Sequence, residues 1–200
     1  MEHVVQQSAT VPNLYGVPAT IDLAGAEIEL VSTVSRETQL RRALEAYLAD
    51  QLQSGQAAFD YVIIDCSPSL GLLTINAFAA AREVLLPIQC EYYALEGLGQ
   101  LLQAVELMRK HLNPELVVST ILLTMYDGRT NLARQVAAEV VEHFPDQVLR
   151  TRIPRSVRVS EAPSYGQSVI TYDPNSSGAL AYQEAARELT TRAQQKREAA

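Results

Sequence analysis

The chain has 200 residues, of which 48% are hydrophobic and 20% are charged, and its formal net charge is −7. These values are ordinary for a globular protein, and the length suits one α/β domain with a sizeable core. No apolar run is long enough to cross a bilayer, so no membrane partner is expected. The N-terminal segment has neither a basic region nor an apolar core, so it does not resemble a secretion signal, and a cytoplasmic location is expected.

The first third of the chain predicts a short strand followed by two helices. Residues 14–18 have the composition of a strand, and Asp22 is placed to cap a helix over Leu23–Val31. A second helix begins near Ser35, where apolar side chains recur at helical spacing, and Gly55 ends it.

Residues 59–78, FDYVIIDCSPSLGLLTINAF, predict a strand, a turn and a helix in succession. The apolar residues 61–64 end on Asp65, and a Pro/Ser/Gly turn leads into a helix over 72–81. In an open α/β sheet, ligands bind just beyond the carboxyl ends of the strands. A carboxylate there is well placed to hold a hydrated Mg²⁺ on the phosphates of a nucleotide. An Asp that merely caps the turn is the alternative, and the strand-Asp pattern alone does not choose between the two.

The rest of the chain continues this alternation. Strands are predicted over 84–88 and 116–124, with a short one at 148–150, and helices over 95–111, 131–144 and 176–193. Residues 154–178 are rich in Pro, Gly and Ser and predict a functional loop with one helical turn. Such alternation is typical of an α/β fold with a doubly wound, mostly parallel sheet and helices on both faces. Because no linker interrupts it, a single domain over residues 1–200 is predicted.

The region after residue 128 is locally basic although the whole chain is acidic. Its arginines are Arg129, Arg134, Arg150, Arg152, Arg155 and Arg158. The planar guanidinium group suits phosphate, and a basic face can bind the DNA backbone without reading sequence. By charge alone, a solvated arginine-rich surface is the better interpretation.

Several blocks resemble the ParA/Soj family, the deviant-Walker P-loop ATPases that segregate chromosomes and plasmids. IIDCSPSLGLLTINAF is similar to the Walker B and switch II segment of that family, with Ser67 where the family usually has the first of two prolines. The other blocks follow in family order: PATIDLAGAEIELV (18–31), LPIQCEYYALEGLGQLL (86–102), LLTMYDGRTNLARQV (122–136) and IPRSVRVSEAPSYGQSVITYDPNSSGALAYQEAARELT (153–190). The resemblance implies a P-loop NTPase-like fold.

The resemblance also implies roles for individual residues. Asp65 resembles the Walker B carboxylate, a catalytic residue that holds Mg²⁺ through water in an ATP or ADP site. Nucleotide contacts are implied for Ser67 and Gly71 in switch II, and for Thr124, Met125 and Pro154 near the adenine. A plain strand-to-helix turn remains the alternative for residues 67–71, and an ordinary core position remains the alternative for Met125.

The partners implied by the resemblance are DNA, a second copy and a ParB-type centromere-binding protein. In the full-length family, an ATP-dependent dimer binds DNA nonspecifically through basic residues of the C-terminal region and associates with the nucleoid. Arg129 and Arg158 are the first candidates for DNA binding here, followed by Arg155.

The phosphate-binding loop of that family is missing from this sequence. No G-x-x-x-x-G-K-[ST] occurs, and the two lysines, Lys110 and Lys196, do not follow a glycine. The chain resembles the C-terminal three quarters of a ParA, incomplete at the N-terminus, without the P-loop strand and switch I. The chain alone is therefore predicted not to hydrolyse ATP. Without a central strand, apolar flanks would be exposed, so the isolated chain is expected to be marginal, misfolded or dimeric.

Three functional interpretations stay open. The first is a partitioning ATPase represented by a shortened clone or by a gene start placed too late. The second is a paralogue that lacks the P-loop and binds DNA or a partner without ATPase activity. The DNA just upstream separates these two, because only the first predicts an in-frame glycine-rich loop. The third is a small-molecule synthetase, and no acid–base constellation supports it. The sequence does not distinguish chromosomal from plasmid partitioning.

Overall fold

The structure is a computed structural model that describes Met1 and residues 3–198. The chain divides into two compact units, and each is described by itself. Unit 1 consists of Met1–Arg82 and Ala104–Leu116, and unit 2 consists of Glu83–Gln103 and the chain from Val117 onward. The expectation of one domain over residues 1–200 stays a prediction.

The secondary structure alternates between helices and strands after a small N-terminal hairpin. The strands are β1 (Gln6–Gln7), β2 (Tyr15–Gly16), β3 (Glu83–Gln89) and β4 (Val117–Thr124). The α-helices are α1 (Leu23–Val31), α2 (Gln39–Gln53), α3 (Leu72–Ala80), α4 (Ala94–His111), α5 (Asn131–His143), α6 (Val157–Glu161), α7 (Val169–Tyr172) and α8 (Ser177–Glu198). Short 3₁₀ helices span Arg36–Thr38 and Ala162–Tyr165.

In unit 1, helix α3 is held by two buried asparagines. Asn76 donates to the carbonyl oxygen of Arg36 at 2.7 Å and accepts from the amide of Leu40 at 3.1 Å, which ties α3 to the start of α2. Asn113 donates to the carbonyl oxygens of Phe78 at 2.8 Å and Ala81 at 2.6 Å. These bonds satisfy carbonyl groups that the end of a helix leaves without partners.

The strand predicted at residues 61–64 is not formed, and that prediction is wrong. The segment carries no ladder pairing to any described residue. Tyr61, Val62 and Ile63 are exposed, whereas Ile64 is half-buried. A strand requires a neighbour that takes its amide and carbonyl groups, and no described residue supplies one here. The exposure of Tyr61, Val62 and Ile63 agrees with a different expectation from the sequence, that apolar residues are left uncovered where the central strand is missing.

Unit 2 is built on a parallel pair of strands. In β3, Val84, Leu86 and Ile88 are buried while the residues between them are exposed, as a strand covered on one face requires. Strand β4 pairs with it so that Leu86 is opposite Ile121. The short strand predicted at 148–150 is reduced to an isolated parallel bridge between Ile121 and Val148.

Strand β4 is covered on both faces. Leu122 packs in a cluster with Leu149, Ile153 and Ala185 of α8. Ile121 and Leu123 point to the opposite face because side chains alternate along a strand, and both are fully buried. Parallel pairing with helices along the chain between the strands confirms the predicted α/β fold class.

Residues 154–178 are more regular than the predicted loop with one helical turn. They contain α6, α7 and the 3₁₀ helix Ala162–Tyr165 between them. Ala162, Val169 and Ala179 form a small buried cluster that fixes these turns against α8. None of the helices among residues 3–198 has the length and apolar character needed to span a bilayer.

Candidate functional site

The Walker B-like residue Asp65 lies in the irregular, solvent-exposed segment that precedes α3. No ion pair or hydrogen bond joins its carboxylate to another described side chain. Ser67 and Ser69, which follow it, share a hydrogen bond of 2.8 Å between their hydroxyl oxygens. The side chains of this segment therefore offer one carboxylate with no described partner, two hydroxyls and the thiol of Cys66, which donates to the carbonyl oxygen of Ile64 at 3.7 Å.

Gly71 stands at the N-terminal cap of α3, where the sequence placed the end of switch II. The Thr74 hydroxyl donates to the carbonyl oxygen of Ser69 at 2.6 Å and closes the turn into the helix. The carboxylate of Glu27 accepts from the amide of Leu73 at 3.4 Å. A Cβ atom on Gly71 would meet the carboxylate end of the Glu27 side chain, which would have to move away. A turn into a helix accounts for this geometry, and a switch role for Ser67 and Gly71 stays a prediction.

Thr124, Met125 and Pro154 come together in unit 2, at the carboxyl end of β4. Thr124 donates its hydroxyl hydrogen to the carbonyl oxygen of Ile88 at 3.2 Å. Tyr126 forms a parallel bridge with Pro154, which places that proline beside the residue after Met125. The carboxyl end of a parallel strand is where ligands bind in this class of fold.

Met125 has a φ of 51°, in the left-handed region that side chains other than glycine rarely adopt. Two backbone hydrogen bonds flank this strained position. The amide of Tyr126 donates to the carbonyl of Ile153 at 3.0 Å, and the amide of Arg155 donates to the carbonyl of Tyr126 at 3.1 Å. Strain of this kind persists only where neighbouring contacts determine it, and it is found at functional sites.

A cavity of about 850 Å³ opens at this edge of unit 2. It lies over the ends of β3 and β4 and between the first turns of α4 and α5. Its lining includes Gln89, Tyr92, Tyr93, Leu98, Met125 and Arg155, but neither Thr124 nor Pro154. Of the predicted nucleotide contacts in unit 2, only Met125 therefore lines this cavity.

One of the predicted DNA-binding arginines, Arg129, is paired with the carboxylate of Asp127, and a second, Arg155, acts on that carboxylate through its charge. The guanidinium of Arg129 donates from Nε and Nη2 to the two oxygens of Asp127, at 2.9 and 2.7 Å. These bonds lower the pKa of Asp127 to about 2, helped by the backbone amide of Arg129 and by the positive charge of Arg155. The Arg129 side chain is 90% exposed, so the pair lies at the surface. Arg155 is also exposed, and no ion pair joins it to a described carboxylate.

Arg158 lies on α6 and is paired with two other carboxylates. Its Nη1 atom is 3.0 Å from Glu161, and its Nε atom is 3.4 Å from Asp173. The Arg158 side chain is half exposed. The structure thus pairs Arg129 with Asp127, whose pKa the charge of Arg155 also lowers, and pairs Arg158 with a separate set of carboxylates.

The acidic partners of these arginines were missed by the sequence reasoning. Asp127 falls just outside the basic window, and its spacing of two residues from Arg129 in YDGRT is the signal that could have found it. Glu161 follows Arg158 by three residues, which is one helical turn. Asp173 is distant in sequence, and only the packing of residues 157–173 brings it close.

The described side chains around Asp65 supply only part of what a nucleotide triphosphate site needs. One exposed carboxylate suits a contact to Mg²⁺ through water, because that ion prefers oxygen ligands and keeps several waters. No cluster of three or more His, Cys, Asp or Glu side chains that could hold a metal occurs among the described residues. The sequence also has no glycine-rich loop with a lysine to balance the phosphate charge.

Comparison with known proteins identifies the family. Residues 1–118 match the family model described as AAA domain. The chain is 57% identical over 183 residues to the sporulation initiation inhibitor protein Soj of Bacillus subtilis (strain 168), an alignment that covers 92% of this chain and 69% of that protein. It is 52% identical over 176 residues to the chromosome partitioning protein ParA of Myxococcus xanthus (strain DK1622), covering 88% of this chain and 59% of that protein.

A solved structure also resembles the chain. Cobyrinic acid a,c-diamide synthase from Mycobacterium smegmatis, with bound ADP and magnesium, matches with a TM-score of 0.71 and 36% identity, over 92% of this chain and 63% of that one. Its name describes small-molecule synthesis, but its identity is lower than that of the two partitioning relatives. The chain spans between 59% and 69% of the lengths of these three proteins. At 57% identity across 69% of Soj, the chain belongs to the ParA/Soj family of chromosome-partitioning proteins.

Proposed function

We propose that this chain acts in chromosome or plasmid partitioning by binding DNA nonspecifically through Arg129, Arg155 and Arg158 of unit 2. The observation that carries the proposal is the surface position of all three guanidinium groups in an otherwise acidic chain. Family membership supports it, since the relatives are partitioning proteins. Arginine contacts to phosphate position a protein on DNA without reading its sequence.

The chain by itself is proposed to bind DNA weakly. Nonspecific complexes typically have dissociation constants of about 10⁻⁴ to 10⁻⁶ M at physiological salt. In the family, the tighter DNA-binding form is a nucleotide-dependent homodimer, and this chain has no phosphate loop to hold the nucleotide. A ParB-type protein is the partner proposed for the complete partitioning system, which would act in the cytoplasm at the nucleoid.

Fluorescence anisotropy with two duplexes of unrelated sequence and equal length tests the DNA proposal. We expect equal affinity for both duplexes and a loss of affinity between about 50 and 200 mM salt. Arg129→Ala, Arg155→Ala and Arg158→Ala should weaken binding on both duplexes and reduce the salt slope by about 1 each.

The matched control is Arg187→Ala on α8. Arg187 is exposed and pairs with Glu184 three residues away at 3.0 Å, as Arg158 does with Glu161. This control should bind DNA like the parent chain. Unchanged binding by both Arg129→Ala and Arg158→Ala would remove those two residues from the interface. Unchanged binding by Arg155→Ala as well would leave the proposal without support.

A second proposal concerns ATP. We infer that this chain does not hydrolyse Mg·ATP, because Asp65 stands without the loop and lysine that would grip the triphosphate. Phosphate release should equal the buffer background, with or without DNA. Turnover by the chain that Asp65→Ala abolishes would contradict the inference and restore Asp65 to a working catalytic site.

A further inference from the structure

We propose that Asp127, Glu161 and Asp173 compete with DNA phosphates for Arg129 and Arg158 and so limit the affinity of this surface. The inference rests on the proposed DNA-binding function and adds to it a built-in set of competitors.

The first competitor occupies the same edge of the guanidinium group that a phosphate would use. Asp127 accepts from both Nε and Nη2 of Arg129, which is the bidentate geometry that carboxylates and phosphates share. Asp127 also accepts from the backbone amide of Arg129 at 3.1 Å, so the carboxylate is anchored to the loop. A phosphate reaching this edge of Arg129 must therefore displace a carboxylate that is already in place.

Arg158 is paired with two competing carboxylates, whereas Arg129 is paired with one. Glu161 and Asp173 approach different nitrogen atoms, Nη1 and Nε, of the one guanidinium group. The local formal charge of this group of three is therefore negative. DNA approaching Arg158 meets a like-charged surface until one carboxylate moves away, because surface charges within a Debye length act on each other.

Arg155 provides an internal comparison. Among the described residues no carboxylate pairs with its guanidinium, although its charge helps to lower the pKa of Asp127. A phosphate can bind Arg155 without displacing a partner. Arg155→Ala is therefore expected to reduce affinity more than Arg129→Ala does, even though both side chains are exposed.

The carboxylate of Asp127 is charged near neutral pH. Its hydrogen bonds from Arg129 lower its pKa to about 2. Lowering the pH cannot release Arg129 selectively, and the test must use isosteric substitutions. Asn and Gln keep the shape of the side chain and remove the charge, and one carboxylate oxygen becomes an amide NH₂ group, which cannot accept a hydrogen bond from the guanidinium.

The experiment measures anisotropy of the full chain with a nonspecific duplex at several salt concentrations. Asp127→Asn, Glu161→Gln and Asp173→Asn should each raise DNA affinity by about 2- to 5-fold, the range expected for an exposed ion pair. The salt slope should become steeper, by up to about 0.9 for each additional phosphate that the protein neutralises. Glu184→Gln removes an equal charge from an exposed pair on α8 and serves as the control for net charge.

A double substitution shows whether Asp127 acts through Arg129. In the Arg129→Ala background, Asp127→Asn should have no effect beyond that of Glu184→Gln. Circular dichroism establishes that each variant is folded. If Asp127→Asn weakens binding instead, the carboxylate positions Arg129 for DNA and the competition is refuted.

The outcomes separate this inference from the proposed function. One outcome is that the parent chain binds DNA and Arg129→Ala weakens binding, but no acidic substitution raises DNA affinity more than Glu184→Gln does. In that case the competition is wrong and DNA binding stands. If the parent chain and every variant fail to bind DNA, the proposed function fails, and the competition falls with it.

Discussion

The exposure of residues 61–63 predicts that Ile63 contributes almost nothing to stability. Ile63 is 89% exposed, whereas Leu116 of the same unit is 0% exposed. The two side chains are isomers, so Ile63→Ala and Leu116→Ala remove the same atoms. Truncating a buried leucine costs about 2–5 kcal/mol in free energy of unfolding. Because only about a tenth of Ile63 is withdrawn from water, its loss should cost about 0.3 kcal/mol, given ~3 kcal/mol for full burial.

Urea titration followed by far-ultraviolet circular dichroism measures both costs. We expect Leu116→Ala to shift the midpoint strongly and Ile63→Ala to leave it within error. A loss above about 1 kcal/mol for Ile63→Ala would refute the exposed arrangement of residues 61–63, since substitutions of exposed residues rarely cost that much. Repeating the titration at several protein concentrations then shows whether a second copy buries the side chain.

Two further predictions concern unit 2. Glu188→Gln should lower the free energy of unfolding by about 2 kcal/mol, the scale of hydrogen bonds to a charged group, whereas the exposed Glu184→Gln should change it by less than about 0.5 kcal/mol. Burial raises the pKa of Glu188, but its hydrogen bonds lower that pKa more. The parent chain is therefore more stable than Glu188→Gln above the ordinary carboxyl pKa, and this difference in the free energy of unfolding disappears as the pH falls through the lowered pKa. Gly178→Ala should displace α6 and weaken DNA binding without removing a charge, because its Cβ would lie 2.5 Å from Val159 Cγ2. Val159→Ala in the same chain should restore the affinity, and failure to restore it would disprove this account of the contact.

The reason for the strength of Glu188 is its set of partners. Its carboxylate accepts from the amides of Arg150 and Thr151 at 2.9 and 3.0 Å and from the Thr151 hydroxyl at 3.0 Å. It also pairs with Arg192 at 2.8 Å, and Arg192 in turn donates to the carbonyl of Val148 at 2.8 Å. Removing the charge therefore weakens several hydrogen bonds at once.

The helices were largely predictable from the sequence because their signals are local. Helix α1 spans the predicted residues, and α3, α4 and α5 differ from prediction by a single terminal residue. Helix α5 shows why: its N-terminal cap Thr130 accepts from the amide of Ala133 at 3.3 Å, and its apolar positions recur along one face. The final helix α8 extends beyond the predicted 193 to Glu198, since its polar end contains nothing that terminates a helix.

The strands were less predictable because a strand depends on its neighbours. Strands β3 and β4 are apolar and find each other within unit 2. Residues 61–64 are equally apolar and rich in β-branched side chains, yet they have no described partner and form no strand. Propensity records how well a side chain fits a sheet, and it contains no information about whether an adjacent strand exists.

The sequence led to the three surface arginines but not to their acidic partners, and a DNA-binding role for the arginines stays a prediction. Family resemblance pointed to Arg129, Arg155 and Arg158, and all three are at the surface. The carboxylates that pair with two of them come from a loop, a helical turn and the end of α7. Counting charges along the sequence identifies a segment with an excess of arginines. In the folded chain, carboxylates pair with two of these arginines and neutralise part of their positive charge.

The exposed apolar surface of unit 1 leads to the last prediction, which concerns the chain as a whole. Ile21, Val34 and Ile63 are each more than 80% exposed, and residues 61–64 leave backbone groups without described partners. The net stability of a domain is only about 5–15 kcal/mol. The stabilisation that is lost when these apolar side chains stay exposed is a large fraction of that value. Calorimetry combined with sedimentation should therefore show either a weak, broad transition or a dimer whose melting temperature rises with concentration. A sharp, cooperative transition of a monomer well above room temperature would contradict this reasoning, because a monomer that stable would need burial that the exposed side chains of unit 1 do not provide.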